Sequence, residues 1–242
     1  MSNTWARLIA QGVVLASVMG TMPAEAAAFA GGLKAGTLGL GGEIAVGLNN
    51  YLGVRASFNS FDYSDTREED GIEYDGKLEL KSFGAQLDLH PFKGNFYLTG
   101  GFFSNGNKLR LHASDPTGTE VYDIGDAEYR SDTSDPLNIK GALDFKSTVP
   151  YLGLGWGHAP VGESSLYFRF ELGAYFQGAG KLALDASGSA VDENGDSFDV
   201  DGSSPEAQLF QANLEQERAE TESDIGEFKI WPAIEFAIGY RF

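Results

Sequence analysis

Residues 228–242 read Phe-Lys-Ile-Trp-Pro-Ala-Ile-Glu-Phe-Ala-Ile-Gly-Tyr-Arg-Phe. Ile234, Phe236, Ile238, Tyr240 and Phe242 fall on one face, and Ala233, Glu235, Ala237, Gly239 and Arg241 on the other. That period of two belongs to a β-strand. Large apolar groups on one side with small or charged groups on the other suit a wall between lipid and a polar interior.

The same alternation recurs upstream. Thr37 to Leu48 sets Leu38, Leu40, Ile44, Val46 and Leu48 against Gly39, Gly41, Glu43, Ala45 and Gly47. Asn49-Asn50 then predicts a tight turn through the positive backbone angles that Asn tolerates. The next strand sets Leu52, Val54, Ala56 and Phe58 outward against Gly53, Arg55, Ser57 and Asn59. Lys77 to His90 sets Phe83, Ala85, Leu87 and Leu89 against Gly84, Gln86, Asp88 and His90, with Leu78 and Leu80 out of phase. That phase change predicts a bulge near Lys81-Ser82 or a strand end leaving the membrane. Phe96 to Ala113, Val149 to Gly157 and Leu166 to Phe176 complete seven strands. The last places Leu166, Phe168, Phe170, Leu172, Ala174 and Phe176 against Tyr167, Arg169, Glu171, Gly173 and Tyr175.

Single-chain barrels of this kind have even strand numbers. An eighth strand is therefore expected in Ala27 to Gly36, the one segment free to precede Thr37. A gapless internal match, Gly100–Ser114 with Gly173–Ser187, supports recurring hairpins, as does a match of Val149–Gly157 with Trp231–Gly239. Short turns at Asn49-Asn50, Pro91 and His158 alternate with three long acidic stretches, at 61–76, 114–138 and 188–227. These stretches are expected to be solvated outer loops. In the last, Ser204-Pro205-Glu206 is a helix start, and Leu209, Phe210 and Leu214 give an acidic helix running to Glu222 a weak apolar stripe.

At the amino terminus Arg7, an apolar run from Leu8 to Met19 and Pro23-Ala24-Glu25-Ala26-Ala27-Ala28 have the layout of a secretory signal peptide, residues 1–26, with residues 27–242 as the barrel domain. The 242 residues include no cysteine, 32 glycines and a formal charge of −18. Disulfides and thiolate metal sites are thereby excluded, and so acidic a chain is not a nucleic-acid binder by charge.

With signal, alternating strands, acidic loops and the terminal Gly239-Tyr240-Arg241-Phe242, the chain resembles the small outer-membrane barrels of the OmpA, OmpX and opacity-protein type. The resemblance implies an all-β, antiparallel, up-and-down transmembrane barrel of eight strands in the bacterial outer membrane. It also implies contact with outer-membrane lipid and lipopolysaccharide, and assembly by the barrel-assembly machinery through Tyr240 and Phe242 of the closing strand.

The inward faces collect Glu43, Arg55, Asp88, Arg169, Glu171 and Glu235, and buried charges are tolerated only when paired. A lumen charge network is the expectation. The inward glycines, Gly153 and Gly155 among them, either leave a polar path open or make room for Tyr151, Tyr167, Tyr175 and Phe103. Asp62–Asp75 and Asp192–Asp201 raise the question of weak Ca²⁺ or Mg²⁺ bridging to lipopolysaccharide, but Asp192 to Asp196 misses the EF-hand register, and no resident metal or cofactor is expected. His112, with Ser114 and Asp115 nearby, is the one catalytic candidate, and neighbours along a strand do not make a triad. The reading is a non-enzymatic barrel with a structural or surface-interaction role, its outer loops facing an unidentified extracellular ligand. The alternative is a narrow channel for ions or small solutes, with a lipid-modifying outer-membrane enzyme ranked below both.

Overall fold

The computed structural model describes residues 28–69, 72–157 and 161–242. The expected signal peptide and the turn residue His158 lie outside the described residues. Fifteen described strands are β1 (Ala28–Gly36), β2 (Gly39–Gly47), β3 (Leu52–Glu69), β4 (Ile72–Leu89), β5 (Tyr97–Asn105), β6 (Lys108–Ser114), β7 (Val121–Ile124), β8 (Ala127–Ser131), β9 (Asn138–Asp144), β10 (Thr148–Trp156), β11 (Ser165–Tyr175), β12 (Lys181–Ser187), β13 (Ser189–Val191), β14 (Ser197–Asp199) and β15 (Trp231–Arg241). The helix α1 (Pro205–Ile225) lies between β14 and β15. Among the described residues no helix is long and apolar enough to cross a membrane.

The pairing is antiparallel and long-range. β1 pairs with β2, β2 with β3, β3 with β4 and β4 with β5. β5 pairs with β10, β10 with β11, β11 with β15, and β15 returns to β1. The pairings thus run around a ring. The Ala- and Gly-rich segment expected to supply an extra strand is β1, joined to β2 from Ala28↔Gly47 to Gly36↔Gly39 and to β15 from Ala30↔Arg241 to Gly36↔Glu235.

The ring has apolar residues outside and polar ones inside. Leu33 is 70% exposed and Phe168 66%, whereas Arg55 and Glu171 are 0% exposed. Leu38 departs from its expected place on the outer face. It sits in the turn between β1 and β2 and folds inward, 3% exposed, against Phe103, Val149, Tyr151, Tyr175 and Ala233.

The β3–β4 ladder is unbroken from Leu52↔Leu89 to Glu69↔Ile72. No bulge occurs near Lys81-Ser82. Leu78 and Leu80 share the inward parity of Ser82 and Gln86, and the inner face turns from polar to apolar as the strands rise above the ring. The acidic stretch 61–76 is accordingly this ladder's upper half, its charges spread along paired strands. β6, β9 and β12 extend it into a flared sheet in the order β4-β6-β9-β12. Phe96–Ala113 is not one strand, since the chain breaks at Gly106-Asn107 between β5 and β6.

The stretches 114–138 and 188–227 are not solvated loops. β7 and β8 form a hairpin, β13 and β14 another, and the two join in one four-stranded sheet. α1 packs on it, so that Ile124, Tyr129, Leu137, Phe198, Val200 and Phe210 form a cap with its own core. Ser204 caps α1 by accepting from the Ala207 N–H at 3.1 Å. Pro205 occupies the first turn, where the missing N–H costs nothing. The run to Ile225 contains no Gly or Pro, and Gly226 ends it by donating to the Glu222 carbonyl at 2.9 Å. Ala207, Phe210 and Leu214 are the residues that dock, whereas Leu209 is 58% exposed and lies off the stripe.

Asn49 makes its turn through its side chain. Its Oδ1 accepts from the N–H groups of Tyr51 at 2.8 Å and Leu52 at 3.1 Å. Positive backbone angles play no part there, and the described non-glycine residue with one is Lys93, φ 56°.

Candidate functional site: the charged lumen

Alternation along five strands delivers six ionisable side chains to one level of the ring interior. Glu43 comes from β2, Arg55 from β3, Asp88 from β4, Arg169 and Glu171 from β11 and Glu235 from β15. Each of the six is buried. Arg55 donates to both oxygens of Asp88, Nε to Oδ2 at 3.1 Å and Nη2 to Oδ1 at 3.0 Å. Its Nη2 also reaches Glu171 Oε2 at 2.6 Å, and its Nη1 lies 3.5 Å from Glu43 Oε2. Arg169 donates through Nε to Glu43 Oε1 at 3.1 Å and through Nη1 to Glu171 Oε2 at 2.7 Å, and its Nη2 pairs with Glu43 Oε2. Two arginines and two glutamates therefore close a ring of ion pairs, with Asp88 attached at one corner.

Glu235 attaches at another corner, 3.9 Å from Arg169 Nη2. It pairs with Lys34 of β1, whose Nζ lies 2.7 Å from Glu235 Oε1. The six residues singled out in the sequence are thus brought into one network, to which the structure adds Lys34. Three cations face four carboxylates there. Lys34 escaped the sequence reading because Ala, Gly and Leu around it show little contrast. Its alternation with Leu33 was the available signal.

Tyrosines complete the layer. Glu171 accepts from Tyr97 and Tyr151 hydroxyls, each at 2.6 Å, and from Gln86 Nε2 at 3.3 Å, besides the two arginines. Tyr167 donates to Glu43 Oε1 at 3.1 Å. A carboxylate with two oxygens offers about four lone-pair sites, and Glu171 uses all of them. Tyr97 was not singled out in the sequence. It faces inward directly opposite Gly155, and its inward parity next to Leu98 was legible.

Aromatic rings fill the space beside four of the inward glycines. In the ladder registers Tyr97 faces Gly155, Tyr167 faces Gly239 and Phe103 faces Gly84, and each ring lies where a Cβ on its glycine would stand. The Tyr151 ring covers Gly173 in the same way. Above the charged layer, Phe103, Tyr151 and Tyr175 pack at centroid distances of 4.8–5.5 Å, with Leu38 and Val149 beside them. Two layers of buried side chains thus pack inside the ring, one ionic and one aromatic.

The other sequence candidates do not converge. His112 Nε2 meets Asn138 Oδ1 at 3.2 Å and its Nδ1 lies 3.7 Å from Asp75. Asp115 is buried and spends its carboxylate on the N–H groups of Thr117 and Gly118, both at 2.8 Å. His90 caps its turn, with Nδ1 2.8 Å from the Gly94 carbonyl oxygen. Asp192 accepts from the N–H groups of Asn194 and Asp196, both at 2.9 Å, closing the β13–β14 turn. Those donors hold its carboxyl below the usual carboxylate range. Among the described residues no group of three or more His, Cys, Asp or Glu side chains is arranged to hold a metal ion.

Tyr240 and Phe242 stay exposed at the end of β15, and the Phe242 N–H donates to the Phe29 carbonyl of β1 at 2.7 Å.

No protein-family model matches the chain, and no curated protein sequence matches it. Two crystal structures from Acinetobacter baumannii are similar to it in fold. CarO2 is 19% identical, with 89% of this chain and 99% of that chain covered and a TM-score of 0.56. CarO is 20% identical, with 88% and 97% covered and a TM-score of 0.55. At such identity the likeness speaks for the fold: a β-rich architecture like that of known small bacterial outer-membrane barrel proteins, and not of the OmpA, OmpX or opacity type in particular.

Proposed function

We propose that the protein is an eight-stranded outer-membrane barrel whose interior is a narrow polar passage for ions or small solutes, held shut in this conformation. The observation that carries the reading is the lumen itself, a charged layer beneath an aromatic layer inside a wall that is apolar outside. An inert plug needs neither. Replacing a buried ion-pair cluster by well-packed apolar residues is often neutral or stabilising by about 1–4 kcal/mol, so closure alone gives no reason for seven ionisable groups. Rings of charged side chains select by sign, and hydrophobic constrictions gate by dewetting. Both parts are present here in series.

The membrane reading rests on the inverted sidedness and on strand length. β1, β2, β5 and β10 have nine residues each and β11 and β15 eleven, matching the roughly 9–11 that a tilted strand needs to span. By the rule of short periplasmic turns, the ends at Asn49-Asn50 and Pro91 face the periplasm and the cap faces out. Export through residues 1–26, assembly through the strand carrying Tyr240 and Phe242, and contact with lipopolysaccharide belong to the same reading.

Solute uptake by proteoliposomes tests it. Vesicles carrying folded wild type should admit the smallest polar solutes faster than empty vesicles, and Phe103→Ala/Tyr151→Ala should raise the rate and the size limit. Uptake at the rate of empty vesicles by both proteins would remove the channel reading. A second reading, a surface-interaction role, is favoured by one observation: the outer connections form an ordered cap with a core of its own.

A further inference from the structure

The flared sheet presents an apolar face to the inside, directly above the aromatic layer. Leu109 and Leu111 of β6 and Leu182 and Leu184 of β12 lie on it, and Leu111 is 54% exposed although it sits within a cavity. The equivalence is written in the sequence, since Lys-Leu-x-Leu recurs at 108–111 and 181–184. α1 forms the facing wall. Its first half is anchored in the cap core, and its second half, with Glu217, Thr221 and Ile225, lines a cavity of about 510 Å³ against the sheet. That is within the roughly 300–1,000 Å³ of small-molecule sites.

The two walls differ in chemistry. The sheet wall is aliphatic, while the helix carries Glu215, Glu217, Glu220, Glu222 and Asp224 against Arg218. Arg218 is held by Glu215 and Glu222, both at 2.7 Å, and is drawn to the sheet edge, where its Nη1 reaches the Leu182 carbonyl at 3.4 Å. Glu217 forms no ion pair among the described residues; its carboxylate accepts from Thr221 Oγ1 at 3.5 Å. On the rim Arg67 is matched by Asp65 at 2.7 Å, and Asp75 stands beside His112. Asp75 and His112 have the opposite parity to Leu111 and face the other side of the sheet, so the charge on the cavity wall that no described cation pairs is the negative one of Glu217.

We propose that this groove is a binding site for a small organic cation with an apolar body, the body lying on the Leu109, Leu111, Leu182 and Leu184 wall and the ammonium against Glu217. Charge complementarity selects the cation over an anion, and the aliphatic wall selects it over an inorganic ion or a sugar. The site is independent of whether the lumen conducts.

The full chain in nanodiscs of zwitterionic lipid tests this, with 4-phenylbutylammonium as probe and 4-phenylbutyrate and 4-phenylbutanol as matched controls, followed by saturation-transfer NMR and calorimetry. Binding of the ammonium above empty nanodiscs is expected, with the carboxylate bound at least tenfold more weakly. Leu111→Asn/Leu184→Asn should abolish binding. Glu217→Gln, a change on a helix face without packing consequence, should weaken the ammonium several-fold and leave the alcohol unaffected. Equal affinity for the ammonium in wild type and both variants would overturn the proposal. So would preference for the carboxylate, absence of binding above empty nanodiscs, or protection of the groove by a second copy of the chain.

Discussion

Glu171 receives five donors from five strands: Arg55, Gln86, Tyr97, Tyr151 and Arg169. Removing one partner of a buried pair leaves an uncompensated charge, at a cost of about 3–5 kcal/mol. Glu171→Ala should therefore lower stability by about that much, read as urea unfolding in lipid vesicles. The paired change Arg169→Met/Glu43→Met should cost less than the sum of its single changes, because neither ion remains alone. Asp132, in the cap, behaves differently. It accepts from the Ser197 hydroxyl, from Ser134 Oγ at 2.7 Å and from the Ser134 N–H at 2.8 Å, which together hold its carboxyl down to about 2. A folded value below the unfolded one stabilises wherever the unfolded carboxyl is ionised, and that contribution is lost as pH falls through the folded value. The protection of cap amides, relative to their intrinsic exchange, should thus fall between about pH 4 and pH 2 in wild type, and Asp132→Asn should flatten that fall. At this scale the lumen charges were legible from parity alone. Lys34 was not, because its neighbours offered no contrast.

Elements pair small with large across the ring. Phe103 lies on Gly84 and Tyr97 on Gly155, each directly opposite in the ladder, so that a ring replaces the missing side chain and pins the register. Gly84→Val would meet the Phe103 ring; the overpacking should cost about 1–3 kcal/mol and loosen the aromatic layer. The cap is held by separate contacts. Phe210 is fully buried among Tyr129, Phe198 and Val200, and Phe210→Ala should cost the cap about 3–5 kcal/mol. Amide exchange in β7, β8, β13 and β14 should rise while β1 and β15 stay protected. At the edge of β12 side chains satisfy Leu182, since Glu222 accepts from its N–H at 3.0 Å and Arg218 donates to its carbonyl, which covers part of a free strand edge. Period-two patterns made the ring strands readable. The cap was hidden because its strands span three to five residues, too few for a period, and because Ile124, Leu137, Phe198 and Val200 are scattered among acidic residues that read as solvent-exposed.

The ring is inside-out, with leucine, isoleucine and phenylalanine facing outward and seven charged groups within, while the cap keeps an apolar core. The ring, the groove and the cap stack along one direction, so that from the cap side the aromatic layer comes before the ionic one. With four carboxylates against three cations, the proposed passage should prefer cations, and the reversal potential in a salt gradient should have the cation's sign. The likeness to CarO and CarO2 bears on this architecture and leaves the lumen chemistry to the chain's own residues. Single-channel recording in planar bilayers tests the central claim, that the aromatic and ionic layers together close a polar pathway. In a Phe103→Ala/Tyr151→Ala background, adding Arg169→Ala/Glu43→Ala should convert rare brief openings into long, cation-preferring ones. Silence from that fourfold variant, shown to be folded and inserted, would contradict the account.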